Sequence, residues 1–472
     1  MFCGGPVSAL YFFMSRFRAC SLNQPFLLPP TIQDWLPENH LARFIAETAD
    51  HIDLTNILQK YQRKDSRGAE AYHPLMLVRL LLYGYAVGIV SSRDLEKATY
   101  DQVAFRYLAA DQHPDHDTIA NFRRNHLEQL GELFTQGLEL CREAGLVKAG
   151  RVCLDGTKIA ANASRRKNMD HEKLQQKEAE LKAKVAELLS EAEARDQAED
   201  QKYGKGKRGD ELPKALAERQ QRLKRIQEAK ELLEERNKKR AEQAEKERAE
   251  QKTSEEPISE AQKKRWYRAR KAAEQQQGEI NLTDAESQLM KNGNVGGYVQ
   301  GYNAQAAVLE NQIIVASDVT NESADKQQLV PMIAKVIKGL GSAPKAVLSD
   351  SGYFSEEAVS DESLKGIKLL IPPDGGKPGE KLKATAPRGE VAMKMRKRLA
   401  KRAAAKIYRL RKQTIEPVFG QIKEARGFRR FHLRGLKAVR AEWRLIALTH
   451  NLLKLFRNKW QTAAPALAVA VV

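Results

Sequence analysis

The chain has 472 residues, a formal net charge of +19 and a sequence pI of about 9.6. That length can bury a full core and hold more than one domain, and the positive excess points to a polyanionic partner. No apolar run reaches the roughly 18 residues of a membrane-spanning helix. Cys3, Cys20, Cys141 and Cys153 form neither a CxxC pair nor a regular framework, which argues against zinc and disulfides and for a reduced, cytoplasmic setting.

Residues 1–30 read as an N-terminal extension. Ser8 to Met14 is mildly apolar, but no basic residue precedes it and no small-residue cleavage site follows; Met14 is the expected true start. Residues 31–148 read as a helical domain. Leu75, Val78, Leu81, Leu82 and Tyr85 mark one helix face, with Pro74 in the first turn and Gly88 as the break. Ser91 then caps a second helix with an acidic first turn. The pair fits a DNA-reading helix-turn-helix and a plain helical hairpin equally well. Asp115-His116-Asp117-Thr118 opens a further helix that carries Arg123-Arg124, and His113, His116 and His126 read as surface or capping residues.

From 165 to 292 Lys, Glu, Gln, Arg and Ala dominate. Leu174, Leu181 and Leu188, then Leu216, Leu223, Ile226 and Leu233 past the break at Gly204 to Gly209, predict two long helices folded back as a coiled-coil arm. Strands follow: Tyr302 to Leu309 and Gln312 to Ser317 as a hairpin, Lys345 to Leu348, and Lys368 to Ile371. A helix is predicted over Asp325 to Leu340, with Asp325 as its cap, and Asp318 is placed in a strand-end turn. Long helices are predicted over Arg396 to Tyr408, from Pro417 onward, and over Trp443 to Trp460, leaving 461–472 as a tail. Alternating strands and helices give an α/β catalytic layer over 149–164 and 293–460, with the arm inserted after its first strand.

Two aspartates each close a short apolar run that a glycine then interrupts. They are Asp155 in Val152-Cys153-Leu154-Asp155-Gly156-Thr157 and Asp350 in Ala346-Val347-Leu348-Ser349-Asp350-Ser351-Gly352-Tyr353. Each reads as a strand delivering a carboxylate at its exposed end. Glu416 comes later, in Thr414-Ile415-Glu416-Pro417-Val418-Phe419-Gly420. A residue before proline avoids the α region, so Glu416 is expected at a kink or at the start of a helix. Three such carboxylates suit a two-metal phosphoryl-transfer site. Taken singly, each has an ordinary structural explanation as a turn, a capped turn or an ion-pair partner. Charge supports the chemical reading: Lys377 to Lys459 holds 25 Lys and Arg against 5 Asp and Glu, an excess that accounts for the whole net charge and surrounds Glu416. Aligned basic side chains are the footprint of nucleic-acid binding.

Together these segments resemble a known family. Leu154-Asp155-Gly156-Thr157-Lys158-Ile159-Ala160-Ala161-Asn162-Ala163-Ser164, Gly301-Tyr302-Asn303-Ala304-Gln305, Ser349-Asp350-Ser351-Gly352-Tyr353 and Glu416-Pro417-Val418-Phe419-Gly420 with Lys423 are similar to bacterial insertion-sequence DDE transposases, most nearly the insertion sequence 1182 family. Trp35 to Arg124 resembles that family's helical N-terminal domain. The resemblance implies a ribonuclease-H-like fold with a mixed five-stranded sheet, and Asp155, Asp350 and Glu416 as ligands of two Mg²⁺ ions that Mn²⁺ can replace. A Tyr, Arg, Glu, Lys signature around the glutamate is matched by Tyr408, Glu416 and Lys423. Its arginine position falls between Arg411 and Lys412. With Arg426, Arg429 and Arg430, these basic residues are the expected DNA contacts.

The expected activity is binding of the element's terminal inverted repeats, metal-dependent cleavage that frees a 3′-OH, and attack of that hydroxyl on target DNA. The expected setting is the bacterial cytoplasm, on the nucleoid, with a dimer in the active DNA complex and no membrane. A nuclease of the same fold that never joins DNA, a catalytically silent DNA-binding derivative and a coiled-coil scaffold are the alternatives.

Overall fold

Runs of apolar and small residues build a mixed sheet buried along most of its strands, and apolar helices cover it. A computed structural model describes residues 31–61, 71–203, 214–253, 260–275, 277–291, 297–374 and 389–468. Met14, Cys3, Cys20 and the predicted arm tip at 204–209 lie outside them.

The N-terminal helices are α1 (Leu41–Asp50), α2 (Thr55–Leu58), α3 (Pro74–Val87), α4 (Ser92–Asp101), α5 (Val103–Leu108), α6 (His116–Asn125) and α7 (Leu127–Glu143). Helix α3 starts at Pro74, as proline's fixed φ favours, and ends at Gly88 in the left-handed region (φ 86°). It is apolar on nearly every side and buried accordingly. Helix α4 meets α3 at 97°. Ser91 occupies the N-cap of α4 without a side-chain cap bond, contrary to the sequence expectation. Its neighbour Ser92 instead accepts from Arg123, which is buried and also donates to Val90 O. The outward side of α4 is of mixed sign, with Arg93, Asp94, Lys97 and Asp101 exposed. Among the described residues no single helix is long and apolar enough to cross a membrane.

The sheet begins with β1 (Arg151–Ala160). An insertion follows: β2 (Asn168–Asp170), α8 (His171–Tyr203), α9 (Lys214–Thr253), α10 (Glu260–Glu274) and β3 (Glu279–Asn281). Helices α8 and α9 run antiparallel, as Glu178 with Lys230 and His171 with Glu234 record. Leu174, Ile226, Ala229, Leu233 and Ile280 form a small core at the base. The insertion thus holds three long helices where the sequence predicted two. Helix α10 returns along α9, tied by Arg265 to Glu247. It carries no heptad stripe, and Trp266 is its main buried anchor.

The chain then supplies β4 (Gln288–Lys291), β5 (Tyr298–Leu309), β6 (Ile314–Thr320), α11 (Leu329–Leu340), β7 (Ala346–Leu348), α12 (Glu356–Val359), β8 (Lys368–Leu370), α13 (Glu390–Ala400), α14 (Arg402–Gly420) and α15 (Leu436–Ala468). The sheet order is β6-β5-β1-β7-β8, with β4 sharing with β6 the far edge of β5. Among the described residues it therefore has six strands, one more than expected, the extra one being β4. Strand β5 runs antiparallel to both its neighbours β1 and β6, whereas β7 and β8 run parallel to β1. Asp318 lies within β6, not in a turn, and pairs with Lys335 and Arg440.

One apolar core runs from the N-terminal helices through the sheet to α15. Phe44 of α1 meets Phe456 of α15 with ring centroids 5.3 Å apart, and the Trp443 indole donates to Gln305 O at 2.9 Å. The helical region at 31–148 is thus packed onto the sheet region rather than built around a core of its own.

Candidate active site

Register explains where the two aspartates meet. Strand β7 pairs with β1 only as far as Leu348 opposite Cys153. Two residues beyond that last pair stand Asp155, still on β1, and Asp350, just past the end of β7, close enough for the Asp350 charge to act on Asp155. Asp155 is therefore in mid-strand, since β1 continues to Ala160, and not at a strand end as predicted. The open position comes from the early end of its neighbour. Asp350 does leave a strand end, and its carboxylate caps the turn Ser351–Tyr353 by accepting from Gly352 N at 3.0 Å.

Helix α14 covers this point. Arg411 Nη1 donates to Asp155 Oδ2 at 2.8 Å, with side-chain exposures of 11% and 18%. Tyr408, one turn earlier, is half-buried beside Arg411. Lys412 is exposed. The structure thus turns Arg411, not Lys412, toward the carboxylates. Lys423 donates to Lys158 O at 2.9 Å, fastening the segment after α14 to β1.

Glu416 is placed differently from the expectation. Helix α14 runs unbroken through Pro417 to Gly420 and passes into a π-helical turn, Gln421–Ala425. A proline deletes one helical donor, and the π turn just beyond is where the register readjusts. Glu416 is exposed, on the side of α14 that carries Arg402, Lys406 and Arg409. Among the described residues, no three His, Cys, Asp or Glu side chains converge closely enough to hold a metal ion. The structure brings Asp155 and Asp350 together and leaves Glu416 apart.

The basic residues after Glu416 divide as well. Arg429 and Arg430 are exposed, and Arg429 pairs with Glu424. Their backbone docks beside β1, with Ala160 N donating to Arg429 O at 3.1 Å. Arg426, expected to touch DNA, is only 8% exposed. It donates to Tyr85 O at 2.8 Å, to Ile446 O at 3.3 Å and to the Thr449 hydroxyl, and lies over the Phe428 ring. Its place in the core leaves it no role at a DNA surface.

Sequence reasoning missed a polar cluster behind the pair. Asn303 and Gln305 are fully buried on β5, and both donate to Asp325 Oδ1 at 2.7 Å. Asp325 precedes a short 3₁₀ turn and makes no side-chain cap bond, so it is not the predicted helix cap. The Tyr353 hydroxyl donates to Gln305 Oε1. Lys158 Nζ donates to Ser323 O at 2.8 Å. Two buried polar residues two apart, in the otherwise apolar strand Tyr302 to Leu309, are the signal that could have revealed it.

Gly156 makes room for this cluster. A Cβ there would stand 2.5 Å from Gln305 Nε2, 2.7 Å from Asp325 Oδ1 and 2.8 Å from Asn303 Oδ1. Gly156→Ala is therefore expected to destabilise the fold by about 1–3 kcal/mol, the usual cost of overpacking. Thermal unfolding of the purified variant checks this, and an unchanged midpoint would refute the close packing.

Burial and mutual repulsion set the electrostatics. Burial pushes the Asp155 carboxyl up to about 6 from 3.8, Arg411 opposes that rise, and Asp350 adds to it. Asp350 is raised too, first by burial and then by Asp325, against Arg411. The folded state therefore keeps a proton on Asp155 where the unfolded chain has lost it. The destabilisation is full above pH 6 and fades as pH falls toward 3.8. The two half-buried carboxylates are hard-oxygen donors, and a divalent cation held between them would compete with the proton. Stabilisation by Mg²⁺ or Mn²⁺ should thus be larger at about pH 7.5 than at about pH 5. Melting curves at both pH values test this; an equal shift would contradict it.

Comparison with known families now bears on the site. A model described as Transposase domain (DUF772) matches residues 30–125. One described as Transposase DDE domain matches residues 376–456. Both are transposase models, and over those stretches they support an insertion-sequence DDE transposase. The second match contains Tyr408, Arg411, Glu416 and Lys423, whereas Asp155 and Asp350 lie outside both. The matches do not single out the insertion sequence 1182 group. No curated protein and no solved structure gives a significant match. DNA is the partner that transposase domains imply.

Proposed function

We propose that this transposase binds the terminal inverted repeats of its own element and catalyses metal-dependent strand cleavage and transfer. The carrying observation is the half-buried pair of Asp155, on β1, and Asp350, just past β7, faced by Arg411 and Tyr408 of the family-matched helix. The strand order β6-β5-β1-β7-β8, antiparallel then parallel about β1, supports a ribonuclease-H-like reading. Asp155 and Asp350 would hold Mg²⁺, or Mn²⁺ in its place. The metal ions would supply charge stabilisation to the attacking and leaving oxygens of the phosphodiester.

Glu416 joins this set only if α14 or its side chain shifts when DNA arrives. Arg411 and Tyr408 would orient the scissile phosphate, and the exposed Arg402, Lys406, Arg409, Lys412, Arg429 and Arg430 would position DNA through its backbone. Two ends in one complex call for a dimer, acting in the cytoplasm on the nucleoid. The separation of Glu416 favours one rival, a catalytically silent DNA-binding derivative.

The test is cleavage of a DNA fragment carrying the native element end, with Mg²⁺ and with EDTA. Cleavage at the end with Mg²⁺ alone supports the proposal; bound but uncut DNA in both supports the silent derivative. Binding itself should weaken steeply with salt, by a logarithmic slope of about 0.9 per phosphate neutralised. A flat salt titration would remove the basic surface from the account.

A further inference from the structure

The cluster behind the carboxylate pair has no place in that chemistry as described, yet it reaches the pair through a short chain of bonds. Asp350 and Tyr353 belong to one turn, Ser351–Tyr353 with Asp350 as its cap. The Tyr353 hydroxyl donates to Gln305 Oε1, and Gln305 Nε2 donates to Asp325 Oδ1 at 2.7 Å. Asn303 holds the same oxygen from the other side at 2.7 Å and also donates to Glu322 O at 3.2 Å. Gln305 is thereby fixed in one amide orientation, its NH₂ toward Asp325 and its oxygen toward Tyr353.

Steric contact runs in parallel. A Cβ at Gly352 would lie 3.0 Å from Asp350 Oδ1 and 3.5 Å from Asp325 Oδ2. The two carboxylates therefore flank the same glycine. Gly156, next to Asp155, lies against Asp325, Asn303 and Gln305. One side chain, Asp325, thus backs both β1 at Gly156 and the turn that Asp350 caps. Tyr353 is fully buried, so its hydroxyl cannot exchange this partner for water without moving the turn.

We propose that Asp325 is a positioning residue: through Gln305 and Tyr353 it fixes the turn that aims the Asp350 carboxylate. The inference rests on the reading that Asp155 and Asp350 hold a divalent cation. Asp325 acts by accepting two amide hydrogens with one oxygen, a duty that an asparagine oxygen also performs. Its charge is secondary. Partners that orient a metal ligand typically govern metal affinity by about 10- to 100-fold.

The test is Mn²⁺ titration of the full chain without DNA, followed by paramagnetic resonance, with melting curves as the check on folding. Asp325→Ala and Tyr353→Phe should each weaken Mn²⁺ binding by about tenfold or more, while Asp325→Asn stays within about threefold of wild type, the orientation being kept. Tyr353→Phe removes one hydroxyl and carries the test if Asp325→Ala does not fold. Folded Tyr353→Phe binding Mn²⁺ as wild type does overturns the proposal. So does Asp325→Asn binding as weakly as a variant that lacks the acceptor, because charge and not orientation would then be at work. Asp350→Asn is the reference. If it too leaves Mn²⁺ binding intact, the metal-holding pair itself is refuted; if it alone abolishes binding, only the positioning role of Asp325 fails.

Discussion

Alanine in place of Asp350 is expected to reduce strand cleavage and joining on the order of 10³-fold or more, with DNA binding nearly unchanged. Removing a group that stabilises transition-state charge in a water-poor site costs about this much. The carboxylate is half-buried, and that burial together with Asp325 already raises its proton affinity against the pull of Arg411. It caps only a three-residue turn, through Gly352 N. The fold therefore has little to lose: relief of repulsion with Asp155 offsets the lost cap. Asp155→Ala should behave alike in catalysis, but it also strands Arg411, whose guanidinium is bonded to it, and should cost more stability. The measurement is cleavage of end-labelled DNA beside a binding titration on the same preparations. Parallel loss of binding and cleavage in a folded Asp350→Ala would make the residue structural.

Alanine at Arg426 should act on stability instead, lowering it by about 2–5 kcal/mol. The last carbonyls of a helix lack helical partners. Tyr85 O is one of these at the end of α3, and Arg426 donates to it at 2.8 Å. The same guanidinium reaches Ile446 O and Thr449 on α15, so it joins the N-terminal helices to the last helix. Gly88 completes the joint: its φ of 86° and a Cβ position 2.6 Å from Arg426 O leave no room for a side chain. Denaturant unfolding of Arg426→Ala gives the value. Full stability combined with weakened DNA binding would restore Arg426 to the DNA surface and refute its structural role.

Arg426 also shows what a sequence conceals. Within a nearly all-positive stretch, nothing local separates a guanidinium that faces solvent from one that caps a helix more than 300 residues earlier; only tertiary packing does. Strand positions were more legible. The stretch Tyr302 to Leu309 and the short apolar run before Asp350 became β5 and β7, both buried continuously between layers, and such short runs of apolar and small residues can be read as strands from the sequence. Asp155 was located as an acid on a strand, but its setting in mid-strand depends on where β7 ends, which is a property of the neighbour.

Glu416 was misjudged through a sound local rule. Residues before proline avoid helix, yet Pro417 sits inside α14, and the π turn after Gly420 takes up the altered register. Asp325 was read as a cap because acids commonly precede helices. Its partners Asn303 and Gln305 come from a strand about 20 residues earlier, and no window along the chain joins them.

The central claim is that this chain moves DNA with the carboxylate pair. Excision and joining of a marked plasmid element bounded by the gene's native flanks, wild type beside Asp350→Ala, tests it most directly. The account predicts excised and rejoined DNA with wild type and none with the variant. No movement with either, both proteins being folded and DNA-bound, would contradict it and leave a DNA-binding protein without strand chemistry.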